Sequence, residues 1–392
     1  MSKINVRSFS NENDDGAPDI VGVSTFSSTA YFVPTKGTTQ QRPSDHVEVG
    51  SLRFNTDTSN LEYYRGDTIG WSQFELIDPD LGGGTGSNTG LGVRGLFVGG
   101  YGPSAVADIE FITISTLGNS QDFGDLADGY VQIATTNDRT RGFSSGGKIP
   151  STQTAMRFCT LATLGNTTNG GDLTAATKGR PAGISDSTRG VILGGRNSSD
   201  ATINNIQYHT IQTTGDAADF GDLLSKREFM GGMAASSTRG LVAGGYDDPG
   251  ARVNIIEFVT TKTLGNSTDF GDLSYVANSV GAASNSTRAI FAGGRTPADQ
   301  NSISFVTIAT TGNVSDFGDL TGVVDGDIGM VTSPTRAVFG GGGAPNGAEM
   351  TYVEIASTGN AVAFGELTVA KLSHSVESLQ EPGAWSTGHG GL

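Results

Sequence analysis

The sequence predicts an all-β chain: a six-bladed β-propeller, closed by its own C-terminal strand and preceded by a small N-terminal β module. Three observations carry this expectation. A unit of short β-favouring runs recurs six times, its opening arginines Arg94, Arg141, Arg189, Arg239, Arg288 and Arg336 standing 47 to 50 residues apart. Turn chemistry separates the runs, and none is long enough to form a crossover helix. The 59 glycines among 392 residues recur at fixed places in the unit. A chain with so much glycine and only 35% hydrophobic residues also invites a reading as collagen or disorder. No G-X-Y period runs anywhere, and 19 Phe with 9 Tyr supply the bulky side chains that a disordered chain lacks.

Each unit opens on an apolar run that ends in paired glycines: RGLFVGG, RGFSSGG, RGVILGG, RGLVAGG, RAIFAGG and RAVFGGG. A loop of variable length leads to a strand with a large residue at every second position and an aromatic at Phe111, Phe158, Tyr208, Phe258, Phe305 or Tyr352. An LGN or TGN turn follows, with Asp216 as one variant; its Gly suits positive φ and its Asn suits an Asx-turn. The unit ends on FGDL, carrying Phe123, Phe220, Phe270, Phe317 or Phe364. The second unit has Gly170 in place of the aromatic, and the last reads FGEL. This order resembles the Kelch repeat, whose blades run a, b, c, d from axis to rim, although Kelch blades carry Trp where this chain has the Phe of FGDL. The resemblance makes the Gly-Gly run a strand b, so the array starts without a strand a. Residues 371–379, KLSHSVESL, are expected to supply it and so remove an open sheet edge.

The expected domains are an N-terminal arm (1–49), a β-meander module (50–78), a Gly/Ser linker (79–92), the propeller (93–380) and a flexible Gly-rich tail (381–392). The meander reads SLRF, LEYY and WSQFELI, separated by turn residues. The stretch VPTKGTTQQRP followed by GSLRFNTDTSNLEYYRGDTIGW resembles a module common in tailed-phage virion proteins, including tail-fibre and adhesin-type proteins. Its combination with FGDL-type units is similar to structural proteins of cyanophages. The resemblance implies a place on the tail or capsid exterior, with residues 1–78 bound to other virion proteins and the propeller facing outward. Fibre-type anchors of this kind imply a homo-oligomer, often a trimer.

The formal net charge of −16 repels phosphates, so neither nucleic acid nor an anionic membrane surface is an expected partner. No apolar run approaches the ~18 residues of a membrane span, and the first residues lack the apolar core of a secretory signal. The single cysteine, Cys159, excludes an intramolecular disulfide and a cysteine-cage zinc site. The four histidines, His46, His209, His374 and His389, are scattered, so no metal and no cofactor is expected. His209 and Cys159 hold a packing position on strand c. One carboxylate recurs per unit (Asp125, Asp172, Asp222, Asp272, Asp319 and Glu366); these and the six arginines are expected to serve turns and strand ends. Asp325 and Asp327, an i, i+2 pair on an inner strand, are the nearest approach to a glycosidase pair, and catalysis is not expected of them. The loops after Gly-Gly vary most. Tyr101, Lys148, Arg196, Tyr246 and Arg295 follow the glycines directly, and six-fold geometry gathers them on one face. Tyr stacks on sugars and Arg binds carboxylates, so this ring is the expected contact for an acidic host-surface glycan or a protein; the plainer reading is that these residues cover the glycines. The expected function is a non-enzymatic fibre or adhesin. The alternatives are a capsid decoration protein without a receptor role and, behind it, a glycan-active enzyme.

Overall fold

The computed structural model describes residues 34–43, 47–57, 60–73, 93–100, 105–129, 131–148, 151–324, 328–342, 347–371 and 383–392. The chain divides into two compact units, 1–77 and 78–392. The described residues are all-β, with one 3-10 turn at Thr39–Gln41 and no α-helix. In the first unit Lys36–Gly37, Leu52–Asn55, Asn60–Tyr64 and Trp71–Gln73 form one sheet in that order. The first pairing is parallel and the other two make the expected meander. Its buried side is polar: Glu62 accepts hydrogen bonds from Arg42 Nε at 3.2 Å and Asn55 Nδ2 at 2.7 Å, with Arg53 alongside. Val49, Leu52 and Ile69 are exposed.

The second unit holds a series of four-stranded antiparallel sheets, an arrangement compatible with a β-propeller-like fold. Sheet 2 comprises Ala134–Asn137, Arg141–Ser145, Ala155–Thr160 and Thr168–Asp172; sheet 3, Ala182–Ser185, Arg189–Leu193, Asn205–Thr210 and Ala218–Asp222. Sheet 4 comprises Gly231–Ala235, Arg239–Ala243, Ile255–Thr260 and Thr268–Asp272; sheet 5, Gly281–Ser284, Arg288–Ala292, Gln300–Thr307 and Ser315–Val324. Sheet 6 comprises Gly329–Thr332, Arg336–Gly340, Glu349–Glu354 and Val362–Glu366. In each, the strands a to d lie side by side in chain order. Sheet 1 takes its b, c and d strands from Arg94–Val98, Asp108–Thr113 and Gln121–Asp125, and its a strand from Gly383–Ser386.

That last pairing corrects two expectations. The strand completing sheet 1 is Gly383–Ser386 and not 371–379, most of which lies outside the described residues. The segment expected to be a flexible tail is instead buried. Trp385 is fully buried and donates Nε1 to the Phe143 carbonyl of sheet 2 at 2.9 Å. The physical reason is crowding between the innermost strands. A Cβ on Gly383 would run into the Thr135 side chain, and one on Gly183 into the Thr135 backbone. Small residues at the strand start therefore fit, and a Ser, Thr or Asn at its end ties neighbours together. Asn137 N donates to Ser185 Oγ, Ala235 N to Ser284 Oγ, Thr332 N to Ser386 Oγ and Ser386 N to Asn137 Oδ1, at 2.8–3.2 Å.

Between sheets the repeated residues make a clasp. The c–d turn of one sheet lies along the outer strand of the sheet before it. Gly165 N donates to Phe123 O and Thr167 N to Asp125 O, both at 2.9 Å, while Asp125 N donates to Asn166 Oδ1 at 3.0 Å. The same Oδ1 contact recurs at Asp172–Asp216, Asp222–Asn266, Asp272–Asn313 and Asp319–Asn360, and again between Glu366 of sheet 6 and Asn119 of sheet 1. The turn Asn thus caps a neighbouring strand where an Asx-turn was expected. It is the backbone of the repeated carboxylates, more than their side chains, that is engaged.

The arginines add a second tie. Each lies over its own strand-c aromatic, 4.6 Å away for Arg239 over Phe258 and 5.0 Å for Arg189 over Tyr208. Each also donates to a carbonyl at the end of strand c in the next sheet: Arg94 to Leu161, Arg239 to Ile308, Arg288 to Ile355 and, from sheet 6 to sheet 1, Arg336 to Ser115. The strand-c aromatic meets the FGD phenylalanine edge to face, as in Phe258–Phe270 at 6.1 Å. Sheet 2 breaks this pattern at Gly170. There Phe143, where the other b strands have Leu, Val or Ile, fills the gap and stacks on Phe158 at 5.3 Å.

Two stability outcomes follow, both measurable from urea midpoints. Asn313→Ala removes one clasp acceptor and is expected to cost about 1 kcal/mol. Gly318→Val, whose Cβ meets the Gly359 carbonyl at a φ of +149°, is expected to cost roughly 3 kcal/mol; neutrality of both changes would refute the clasp. Gly170→Phe alone collides with Phe143 and Phe143→Leu alone leaves a void, so the double variant should regain about 1–3 kcal/mol over the sum of the singles.

Candidate functional site

Antiparallel pairing puts each b–c loop and each d–a connection at the same end of a sheet. There the residue after Gly-Gly bridges to the incoming chain: Lys148 to Val131, Arg196 to Lys178, Tyr246 to Glu228 and Arg295 to Asn278. Both glycines of the pair are required. In sheet 4, Gly244 (φ +63°) and Gly245 (φ +106°) leave 2.5 Å between a built Cβ and the carbonyls of Ala277 and Glu228.

Four of the five expected site residues lie among the described residues, and Tyr101 lies outside them. Lys148 is exposed. Arg196 Nη2 donates to Glu228 Oε1 at 2.6 Å, and its guanidinium sits 5.9 Å from the Phe229 ring. Burial raises the Glu228 carboxyl above its ordinary range, against the pull of Arg196. Tyr246 meets Phe229 edge to face at 6.2 Å, and the Arg252 guanidinium lies over the Tyr246 ring at 5.0 Å. Arg252 Nε donates to Asn278 Oδ1 at 2.7 Å. Arg295 pairs with Asp299 at 3.7 Å. The expected ring is therefore a run of internally partnered groups across sheets 3 to 5, with Lys148 projecting outward. An anionic ligand would compete there with Glu228 and Asp299.

Glu228, Phe229 and Arg252 were not singled out from the sequence. The local signal is faint, because Phe229 takes a left-handed φ of 52° that usually belongs to Gly or Asn. Gln132, Arg180 and Ser279 hold the same conformation, each two residues before a strand a. No Gly or Asn marks those places in the sequence.

The opposite end of the innermost strands is filled by the chain terminus. His389 Nε2 lies 3.0 Å from Asn137 O, and Nδ1 accepts from Gly391 N at 3.1 Å, which places the proton on Nε2. Gly390 N donates to Ser284 O at 3.0 Å. His209 is buried too, 2.9 Å from Thr136 Oγ1 and tilted against the Phe143 ring with centroids 4.4 Å apart. Cys159 packs in the cluster holding Trp385, and burial pushes its thiol up to about 12. Among the described residues no group of three His, Cys, Asp or Glu side chains converges on a metal position. His46, His374, Asp325 and Asp327 lie outside the described residues. No protein-family model matches the chain, and no curated protein matches it.

Burial lowers both His209 and His389 to about 4 from an ordinary 6.5. The unfolded chain therefore takes up protons that the folded chain refuses. Stability is full above pH 6.5 and falls as pH drops toward 4, by about 1.4 kcal/mol per pH unit for each histidine. Urea unfolding at pH 7.5, 6 and 5 measures this. A flat profile would contradict it, and His209→Phe should halve the slope.

Proposed function

We propose that the protein is a non-enzymatic virion structural protein: a closed, six-bladed Kelch-like propeller held by an N-terminal unit on a tailed-phage particle and displayed toward the host surface. The observation that carries this reading is the clasp, which joins each sheet to the next and sheet 6 to sheet 1 in the same way. A ring closed by one repeated contact makes a rigid display body that leaves no outer strand open. The separate N-terminal unit supports an anchoring role: its polar side is buried while Val49, Leu52 and Ile69 stand exposed for a neighbour, another virion protein or a second copy in a trimer. The resemblance of residues 33–77 to tailed-phage modules supplies the virion setting. The face holding Lys148, Arg196, Tyr246 and Arg295, with Tyr101, is the surface offered to a host glycan or protein.

Gold-labelled antibody against the chain should decorate the tails of particles from a phage encoding it, and particles without label would overturn the virion reading. Full-length purified protein should slow particle adsorption to host cells. Capsid label with unchanged adsorption would replace the attachment role by decoration.

A further inference from the structure

On the face that holds the residues after Gly-Gly, one lysine is buried beneath a loop carboxylate. Lys178 lies on the connection from sheet 2 to sheet 3. Its backbone is tied to Arg196: Lys178 N donates to Arg196 O at 2.8 Å, and Arg196 N to Lys178 O at 2.6 Å. The Lys178 side chain is only 9% exposed, and its ammonium meets Asp200 Oδ1 at 2.7 Å. Asp200 belongs to the b–c loop of sheet 3, and its own side chain is 66% exposed. Lys178 first, with Arg196 and Lys148 behind it, holds the Asp200 carboxyl below its ordinary range. A buried cation is therefore covered by an exposed anion of the same chain.

The sister loop of sheet 4 shows what Asp200 adds. Asn197 N donates to Ala201 O and Asn197 Oδ1 accepts from Ala201 N; Asp247 does the same with Ala251, all four bonds at 3.0 Å. Asp200 and Gly250 thus hold one place in the same turn. Both are left-handed, at φ +61° and +115°, a conformation that Gly takes freely and Asp at a cost. The turn does not require an acid there, because Gly builds it. The acid matches the lysine: where the connection carries Glu228 in place of Lys178, the loop carries Gly250 in place of Asp200. An ion pair with one partner mostly in water adds little to stability. Exchanging Asp200 for another carboxylate therefore costs little: Asp200 returns to water, its backbone is released, and the buried ammonium keeps a counter-charge.

We infer that Lys178 is the receptor for the carboxylate of an acidic sugar, and that Asp200 is its internal stand-in, displaced when the sugar binds. The inference rests on the proposed host-facing role of this surface. The sugar carboxylate takes the Lys178 ammonium, and Arg196 and Lys148 add charge beside it. The loop tip that gives way is polar and exposed, with Ser198 and Ser199 next to Asp200, as sugar hydroxyls require.

The test titrates the full-length protein with trigalacturonate, its methyl ester and triglutamate by calorimetry, while NMR follows the amides of Asn197–Ala201. Trigalacturonate should bind saturably and shift the loop amides, and the neutral ester should not bind. Asp200→Asn keeps a residue that tolerates a left-handed φ and removes the competing charge, so it should tighten binding about fivefold. Lys178→Met keeps the stem and should weaken binding about tenfold, with folding checked by circular dichroism. No saturable binding of trigalacturonate to the wild type or to Asp200→Asn, equal affinity of those two, or tighter binding of triglutamate would overturn the inference. Undiminished binding by a folded Lys178→Met variant would do the same. Adsorption slowed by the purified protein in spite of such a result overturns this inference alone and leaves the attachment role standing.

Discussion

An outer β-strand has backbone N–H and C=O groups on its free side, and something must cover them. In this protein the cover is the c–d turn of the following sheet, with three hydrogen bonds per junction. The rest of the repeat follows from that contact. The turn needs a Gly so that its backbone can lie against the strand, and the strand needs a Gly opposite, because a Cβ on Gly124 or Gly271 would strike the turn. The Asn supplies the acceptor that a backbone carbonyl would supply in an ordinary ladder. FGD and LGN are therefore two halves of one contact, written 40-odd residues apart in the chain.

The arginine tie works at the same junctions. Its guanidinium is covered by an aromatic of its own sheet and satisfied by carbonyls of the next, so it joins two sheets while burying little unpaired charge. The two ties together make neighbouring sheets mutually dependent. The exposed aspartates of the outer strands, such as Asp122 and Asp219, add charge along edges that would otherwise invite pairing with another chain.

Strand positions within each unit were legible because turn residues, glycine pairs and alternating large side chains report local backbone geometry. What joins one unit to another was not, since no local pattern tells whether Asn166 bonds its own turn or a strand of the neighbouring sheet. The closing strand was misplaced for the same reason. KLSHSVESL alternates as a strand should, but the position demands small residues at its start and a hydroxyl or amide at its end, which GAWS provides and which Ala134–Asn137 and Gly281–Ser284 or its neighbours share in part. The site residues after Gly-Gly were found by their variation; Asp299 stands four residues after Arg295 in the same loop, yet Glu228, the partner of Arg196, was invisible until the connection folded back upon it. Compensation was hidden in the same manner: Gly170 stands where the other units have an aromatic, and only the folded sheet 2 brings Phe143 into that space.

The proposed ring closes through the C-terminal segment that completes the first sheet. Trp385 reports on it directly, because the chain has two tryptophans and the other, Trp71, lies in the N-terminal unit. In a Trp71→Phe variant all tryptophan emission comes from Trp385. Insertion of Gly383–Ser386 beside Arg94–Val98 predicts short-wavelength emission that acrylamide barely quenches in the native protein and quenches fully in urea. Long-wavelength emission, quenched as readily before unfolding as after it, would show that the segment lies in solvent and would contradict the closure.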